Sequence, residues 1–292
     1  GSSLASASQF KKVADIILAD ETRRYVVPSA PGKRFPEDVK VTDMLYACYK
    51  AAVKGQDFEK KFDEIKERYN GIIAELGIDL SLDEQYENIK AGFKGRAGRD
   101  YAASRGEYLN GIILAKYIGY EFIDAADLVF FNEDGTFNAD MTNQTVRDRL
   151  VDVERAVIPG FYGSTPNDTI KTFSRGGSDV TGSIVAKAVK ADLYENWTDV
   201  SGILMADPRI VENPKCIHRL TYRELRELSY MGASVLHEDA DDGFLQRVGL
   251  GFIPGFAAEE VEQGEGRHLF LEAGEGFRHG RSRADGRAVL LE

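Results

Sequence analysis

The residues best suited to bind an anion lie in the segment Ser174-Arg175-Gly176-Gly177-Ser178-Asp179, directly before a predicted helix. Two glycines let the backbone approach a ligand closely, and the free amides at a helix N-terminus are donors for an anion. Arg175 adds a planar cation that suits a carboxylate or a phosphate, and Ser178 or Asp179 could cap the helix. An ordinary capped turn uses the same residue types, so this segment alone leaves a structural role open.

A second polar segment follows a predicted strand and runs from Trp197 to Gly202, with Asp207-Pro208-Arg209 shortly after it. Ligands of open α/β folds bind at the carboxyl ends of the strands, which is where Thr198 and Asp199 are expected. Asp199 could hold a ribose hydroxyl, and Arg209 could reach phosphate oxygens. The alternative is a polar loop with a turn.

A third segment, Ser104-Arg105-Gly106-Glu107, falls inside a long predicted helix. A glycine inside a helix costs about 1 kcal/mol relative to alanine, which indicates that another group must approach closely there. Glu107 could accept a substrate ammonium group. The alternative is that Arg105 and Glu107 are surface charges.

The elements that must position these segments alternate along the chain. Strands alternating with helices predict an α/β sandwich with a mostly parallel sheet. Helices are predicted over 8–18, 42–52 (with Thr42 as the cap), 57–76, 81–94, 99–119, 145–154 and 178–190, and strands over 24–30, 121–123, 128–131, 156–159 and 191–197.

Composition places the chain among globular proteins. It has 292 residues, 43% of them hydrophobic and 10% aromatic, and this argues against intrinsic disorder. Its net charge of −11 argues against a generic nucleic-acid binder. We expect no membrane span and no signal peptide, and two distant cysteines, Cys48 and Cys216, predict a reduced, cytoplasmic protein without a disulfide framework.

Other familiar sites are not predicted. Gly32-Lys33 is followed by Arg34 and has no glycine five residues earlier, so it is not a phosphate-binding P-loop. No Gly-x-Gly-x-x-Gly follows a strand. The four histidines lie at no metal-ligand spacing, and the sequence leaves any metal ligand unassigned.

The composition changes beyond Ala240. The last 52 residues contain no lysine, asparagine, threonine or tyrosine and are rich in glycine, glutamate and arginine. We therefore predict a globular domain over residues 1–240 and an unassigned tail over 241–292. Our hypothesis for the tail is an out-of-frame or disordered end.

The three segments occur with others in an order that resembles the aspartate kinases of the amino acid kinase superfamily. A single motif would be weak evidence, but nine in order are specific, and they cover the chain from Gly1 to about Ala240. The motifs are Gly1-Ser2-Ser3, 26–30, Thr42-Asp43, 105–107, 159–161, 174–179, 197–202, 207–209 and 232–237.

This resemblance implies a three-layer α/β/α sandwich with a mostly parallel sheet, and transfer of a phosphoryl group from ATP, with Mg²⁺, to the side-chain carboxylate of L-aspartate. The product, 4-phospho-L-aspartate, opens the route to lysine, threonine and methionine. The partners implied are these small molecules and a second copy in a homodimer, with neither nucleic acid nor membrane.

The resemblance also implies roles for individual residues. Asp179 and Arg175 would be catalytic, with Asp179 near the reacting carboxylate and Arg175 on a substrate carboxylate. Thr42, Glu107 and Ser178 would complete the aspartate pocket, with Glu107 on the ammonium. The implied ATP-binding residues are Gly1, Ser2, Ser3, Thr198, Asp199, Arg209 and Ser234.

The sequence departs from the family pattern at several positions. Family members begin with a strand and Lys-Phe-Gly-Gly, whose lysine contacts the transferred phosphate, whereas Gly1 matches the second of those glycines. Leu204 replaces a usual tyrosine, and Ser234 replaces a frequent nucleotide-contacting lysine. Two alternatives stay open: another amino acid kinase, acting on glutamate, acetylglutamate, carbamate or a nucleotide, or an impaired fragment that only binds nucleotide or aspartate.

Overall fold

The computed structural model describes residues 2–174, 177–198, 210–212, 215, 249–254, 269–270 and 287–291. The helices in these ranges are α1 (Ala7–Leu18), α2 (Val41–Val53), α3 (Glu59–Leu76), α4 (Asp83–Lys94), α5 (Arg99–Ile118), α6 (Ala139–Leu150) and α7 (Gly177–Ala188). The strands are β1 (Arg23–Pro28), β2 (Glu121–Phe122), β3 (Ala156–Val157), β4 (Tyr162–Ser164), β5 (Ile170–Thr172), β6 (Leu193–Thr198), β7 (Gly249–Pro254), β8 (Leu269–Phe270) and β9 (Arg287–Leu291). No helix within these ranges is both long and apolar enough to cross a membrane.

Seven strands form one mixed sheet in the order β2-β3-β1-β9-β6-β7-β8. All neighbours are parallel except β7 and β8, which are antiparallel. The strands β4 and β5 form a separate antiparallel pair. The prediction of a mostly parallel sheet is therefore confirmed.

Helices cover both faces of the sheet and give it two hydrophobic cores. On β1, Val26 packs into the core formed with helices α1 to α5. Its neighbours Tyr25 and Val27 point to the opposite face and pack with α6 and α7. Because successive side chains of a strand alternate between faces, a strand buried on both sides reads as a continuous apolar run, as in Tyr25-Val26-Val27. The three-layer α/β/α sandwich is confirmed.

One predicted strand is wrong. Residues 128–131 form only isolated bridges, between Phe130 and Ser164 and between Phe131 and Phe137, after a short 3-10 turn over Ala125–Asp127. The backbone N–H of Phe130 donates to Thr142 Oγ1 (2.9 Å) and is not available for a strand ladder. The apolar run was a signal of burial rather than of strand pairing.

Helix starts also differ from prediction. The helix predicted over 145–154 begins at Ala139, because the Asn138 side chain accepts a hydrogen bond from the Met141 N–H (3.0 Å) and caps it there. Thr42 is not a cap: α2 begins at Val41, and Thr42 lies within its first turn.

Strand β9 comes from the end of the chain yet lies inside the sheet. It runs parallel to β1 on one side and to β6 on the other, with Leu291 opposite both Pro28 and Trp197. Strands β7 and β8 come from the same region, 241–292. The division at residue 240 and the origin of the tail stay predictions.

A buried ion pair joins β1 to β6 across the position of β9. Arg23 Nε donates to Glu195 Oε2 at 2.7 Å, and both side chains are less than a tenth exposed. The guanidinium also donates to the Ile16 carbonyl (2.6 Å) and lies 5.4 Å from the Trp197 ring centre. The Trp197 indole N–H donates to the same Glu195 oxygen (3.2 Å). This network links α1, β1 and β6.

Replacing one member of this pair leaves an uncompensated buried charge. We expect Glu195→Gln to lower the free energy of unfolding by about 3–5 kcal/mol, the usual effect of breaking a buried pair. The control is Glu121→Gln, which breaks the exposed Arg149–Glu121 pair and should cost about 1 kcal/mol or less. Urea denaturation measures both, and equal effects of the two changes would contradict the role given to the buried pair.

Candidate active site

The candidate site lies where β1 ends, at the carboxyl edge of the parallel strands. The N–H of Gly160 donates to the Pro28 carbonyl at 3.3 Å, which brings the loop 159–161 beside the end of β1. The Ser29 hydroxyl donates to the Ser178 hydroxyl at 3.2 Å. The loop after β1, the loop 159–161 and the first turn of α7 therefore meet at the edge of the sheet where ligands of open α/β folds bind.

Two glycines permit this meeting. A Cβ on Gly160 would lie 2.9 Å from the Ser178 Cα, and a Cβ on Gly177 would lie 2.9 Å from the Phe161 Cα. Phe161 itself has a φ of 84°, an unfavourable value for a non-glycine residue, and its N–H donates to Thr181 Oγ1 at 3.1 Å. A left-handed residue at this point indicates that the surrounding contacts fix the loop.

Ser178 and Asp179 lie inside the first turn of α7 rather than at its cap, which corrects the predicted capping role. Asp179 is 5% exposed, and its backbone carbonyl accepts from the Ser183 hydroxyl at 2.8 Å. A carboxylate in the first turn is favoured by the helix dipole, so a buried acid is tolerated at this position.

Glu107 is a buried acid on α5, with 7% of the residue exposed. Burial raises the pKa of Glu107 to about 7. Hydrogen bonding from its own backbone and that of Ala30 opposes the shift but offsets only part of it. Within the described part of the chain, Oε2 of Glu107 accepts no hydrogen bond. A buried carboxylate oxygen without a donor is suited to a cationic group of a ligand.

Gly106 explains how the Glu107 backbone comes so close to the loop after β1. A Cβ on Gly106 would lie 2.8 Å from the Ala30 Cβ and 3.7 Å from Thr42 Oγ1. The Gly106 carbonyl also accepts from the Tyr69 hydroxyl at 2.9 Å. The predicted close approach at this mid-helix glycine is therefore present, and it brings Thr42 of α2 beside the Glu107 segment.

Asn110 and Ser29 are site residues that the sequence analysis did not select. Asn110 is fully buried one turn beyond Glu107, and its Nδ2 donates to the Ser29 carbonyl at 2.7 Å. The spacing from Glu107 could have indicated Asn110, because residues three apart on a helix share a face. Ser29 lay at the end of the strand predicted over 24–30, where a serine among small residues has no distinctive spacing.

Arg105 is buried rather than a surface charge. Its guanidinium lies 4.7, 4.5 and 5.2 Å from the ring centres of Tyr101, Tyr108 and Tyr162. Its Nε and Nη2 donate to the Ser104 hydroxyl at 3.0 and 2.9 Å. Cation–π contacts of this kind stabilise a desolvated cation. Since Tyr162 directly follows Phe161, the arginine ties α5 to the loop that packs on α7.

The remaining predicted residues are placed only in part. Ser3 is buried in a 3-10 turn over Ser2–Leu4, and Thr198 ends β6 opposite Pro254 of β7. The side chains of Ser2 and Thr198 are not described. Outside the described residues lie Gly1, Arg175, Asp199, Arg209 and Ser234.

The sequence model of the Amino acid kinase family matches residues 1–242. The chain belongs to this family. This agrees with the parallel sheet covered by helices on both faces and with a site at the carboxyl edge of the strands.

Individual relatives of this amino acid kinase are named as aspartate kinases. Aspartokinase 3 of Bacillus subtilis is 39% identical over 254 residues, which cover 82% of this chain and 56% of that protein. The crystal structure of Clostridium acetobutylicum aspartate kinase is similar with a TM-score of 0.81 and 54% identity, covering 87% of this chain and 58% of the other. E. coli aspartokinase III, solved in complex with aspartate and ADP, gives a TM-score of 0.73 at 25% identity, covering 87% and 60%. The chain spans a little over half the length of these relatives.

In the part of the chain that the structure describes, no three His, Cys, Asp or Glu side chains are grouped as metal ligands. Mg²⁺ at kinase sites commonly needs only one or two carboxylates besides substrate phosphates and water. The buried carboxylate of Asp179 at the start of α7 is compatible with that mode.

The close contact between Gly106 and Ala30 can be tested by a substitution with a matched control. An alanine is favoured in a helix by about 1 kcal/mol. We nevertheless expect Gly106→Ala to lower the free energy of unfolding by about 1–3 kcal/mol, because the added methyl overlaps Ala30. Gly71→Ala in α3 has no atom within 4 Å of the new Cβ and should stabilise by up to about 1 kcal/mol. Chemical denaturation followed by circular dichroism distinguishes the two, and stabilisation by both changes would refute the close-contact explanation.

Proposed function

We propose that the chain carries the catalytic region of an aspartate kinase, which transfers the γ-phosphoryl group of Mg·ATP to the side-chain carboxylate of L-aspartate. A carboxylate oxygen forms the new bond to phosphorus as the bond to the bridging oxygen of ATP breaks, so that ADP and 4-phospho-L-aspartate are the products. The 54% and 39% identities to proteins named as aspartate kinases support this proposal. So does the complex of the E. coli relative with aspartate and ADP.

The single observation that carries the proposal is the buried carboxylate of Glu107 with a free oxygen. An α-amino acid substrate brings an ammonium group, which can replace the missing hydrogen-bond donor and the lost solvation together. Arg105 attracts the Glu107 carboxylate, but within the described residues no group donates a hydrogen bond to Oε2. The acceptor substrate is therefore an amino acid held by its ammonium group, and that group is separate from the carboxylate that reacts.

The remaining roles follow the family resemblance. Arg175 would hold a substrate carboxylate with two hydrogen bonds, and Thr42 and Ser178 would bind the same substrate. Asp179 would lie near the reacting carboxylate and would be the first candidate for contact with Mg²⁺. For ATP, we propose the amides of Gly1, Ser2 and Ser3 on the phosphates, with Thr198, Asp199, Arg209 and Ser234 on the nucleotide.

Catalysis of this kind requires little covalent chemistry from the protein. Phosphoryl transfer is accelerated mainly by in-line positioning and by neutralising the charge of the transferred group. The acceptor can be held from several sides, because α5, the loop after β1 and the start of α7 meet at the site. When bound with ATP, Mg²⁺ supplies charge neutralisation on the phosphate oxygens.

The direct test is an assay for acyl phosphate with several acceptors. Hydroxylamine traps an acyl phosphate as a hydroxamate, so the purified chain is incubated with Mg·ATP and L-aspartate, glutamate, acetylglutamate or carbamate. A second preparation carries Lys-Phe-Gly joined before Gly1. We expect hydroxamate formation with aspartate and an increase with the extension. Preferred turnover of another acceptor, or aspartate binding without turnover in either preparation, would reject this activity.

The pKa of Glu107 gives a pH dependence. An ammonium ligand favours the carboxylate, so aspartate binding must release the proton that Glu107 carries below its pKa of about 7. The dissociation constant for aspartate should therefore rise by up to about tenfold for each pH unit below 7 and level off above it. Titration calorimetry between pH 5 and 8.5 measures this directly.

A matched pair of substitutions identifies the group responsible. Glu107→Gln should bind aspartate at least about tenfold more weakly at pH 8 and lose the slope below pH 7, because its amide cannot ionise. Glu84→Gln changes an exposed glutamate on α4 and should keep the original profile. An unchanged slope in Glu107→Gln would assign the titration to another group.

We further propose that the protein works in the cytoplasm, at the first step towards lysine, threonine and methionine, and that it forms a homodimer. Buried Cys48, whose pKa burial raises to about 11, fits a reduced thiol. Sedimentation of the purified protein gives its mass in solution, and a monomer at all concentrations would reject the dimer.

A further inference from the structure

A second buried oxygen without a hydrogen-bond donor lies on the same face of α5 as Glu107. Asn110 is fully buried, and within the described residues its Oδ1 accepts no hydrogen bond. The orientation of its amide is determined by its other end, because only Nδ2 can donate to the Ser29 carbonyl at 2.7 Å. Oδ1 is therefore the atom left without a partner.

Leaving such an atom unpaired costs about 1–3 kcal/mol of stability, because a buried polar group without a partner has lost its hydration. Glu107 and Asn110 are three residues apart on one helix, so their side chains start about 5–6 Å from each other. The two oxygens without a donor, Glu107 Oε2 and Asn110 Oδ1, therefore belong to side chains on one face of the helix. A primary ammonium has three N–H donors and can serve both at once.

We propose that Asn110 is a second acceptor for the ammonium group of the amino acid substrate, and so a specificity-determining residue. This rests on the proposed function, because it assumes an amino acid acceptor held by Glu107. Glu107 supplies the charge, whereas Asn110 supplies a neutral acceptor in a fixed direction. The hydrogen bond from Nδ2 to the Ser29 carbonyl fixes the direction of Oδ1. The Ser29 hydroxyl in turn donates to Ser178 at the start of α7.

The two functions of the Asn110 amide can be separated by the choice of ligand. L-aspartate carries the ammonium, whereas succinate has the same two carboxylates without it. A residue that contacts the ammonium affects aspartate alone. A residue that only supports Ser29 affects both ligands equally, because both need the same pocket wall.

The experiment measures dissociation constants of aspartate and of succinate by calorimetry, for the full chain and for Asn110→Leu. We expect Asn110→Leu to weaken aspartate binding about tenfold or more beyond any weakening of succinate binding, because only aspartate loses the contact to Oδ1. Asn143→Leu is the matched control, because Asn143 on α6 also has a buried Oδ1 without a partner. That control should leave both constants unchanged.

Equal weakening of both ligands, or no weakening of aspartate, overturns the assignment and leaves Asn110 as support for Ser29. If Asn110→Leu does not fold, Asn110→Ser removes Oδ1 with a smaller polar side chain, and the same ratio of the two constants decides. If the unaltered chain binds no aspartate at pH 8, the proposed function fails as well. Aspartate binding with an unaltered ligand ratio in the variant rejects only the role of Asn110.

Discussion

The close approach of α5 to the loop after β1 is the constraint on which the site depends. At Gly106 the helix backbone lies so near Ala30 that a single methyl group would overlap it. This contact carries Glu107 into a buried position, where its carboxylate loses solvation and its pKa rises. A larger residue at position 106 would move the helix outwards and return the acid to solvent. The chemistry of the site therefore follows from a packing distance.

The site also joins the two hydrophobic cores. Helix α5 packs on one face of the sheet, whereas α7 packs on the other. Two routes connect them around the edge of the sheet: the hydrogen bonds from Asn110 through Ser29 to Ser178, and the contact of Arg105 with Tyr162 beside Phe161. Because each route ends at the first turn of α7, the spacing between Glu107 and that turn is fixed from two directions. This arrangement suits an acceptor that must be held still while a phosphoryl group arrives.

Much of the fold could be predicted from the sequence, because it rests on local patterns. The apolar run of β1 and the periodic helices α1, α3, α4 and α5 lie close to where hydrophobic spacing indicated. The run at 128–131 could not be assigned correctly, since the Phe130 N–H donates its hydrogen bond to Thr142 Oγ1, a side chain 12 residues away. The same limit applies within the site. Glu107 was found because a mid-helix glycine precedes it, but the partnerless Oδ1 of Asn110 depends on tertiary contacts that no spacing encodes.

An acidic protein with the anionic substrates proposed above must keep its own negative charges apart from those of its ligands. The net charge is −11, and the two buried acids of the site, Glu107 and Asp179, lie on different helices. A pKa near neutrality means that the Glu107 site is only partly charged before its ligand arrives. Full ionisation then coincides with ammonium binding, so the free energy that burial costs the empty protein is recovered only with a cationic ligand. Under the proposed function, selectivity for an amino acid over a simple dicarboxylate would follow from this coupling, because a ligand without an ammonium leaves the buried oxygens as they are in the empty site.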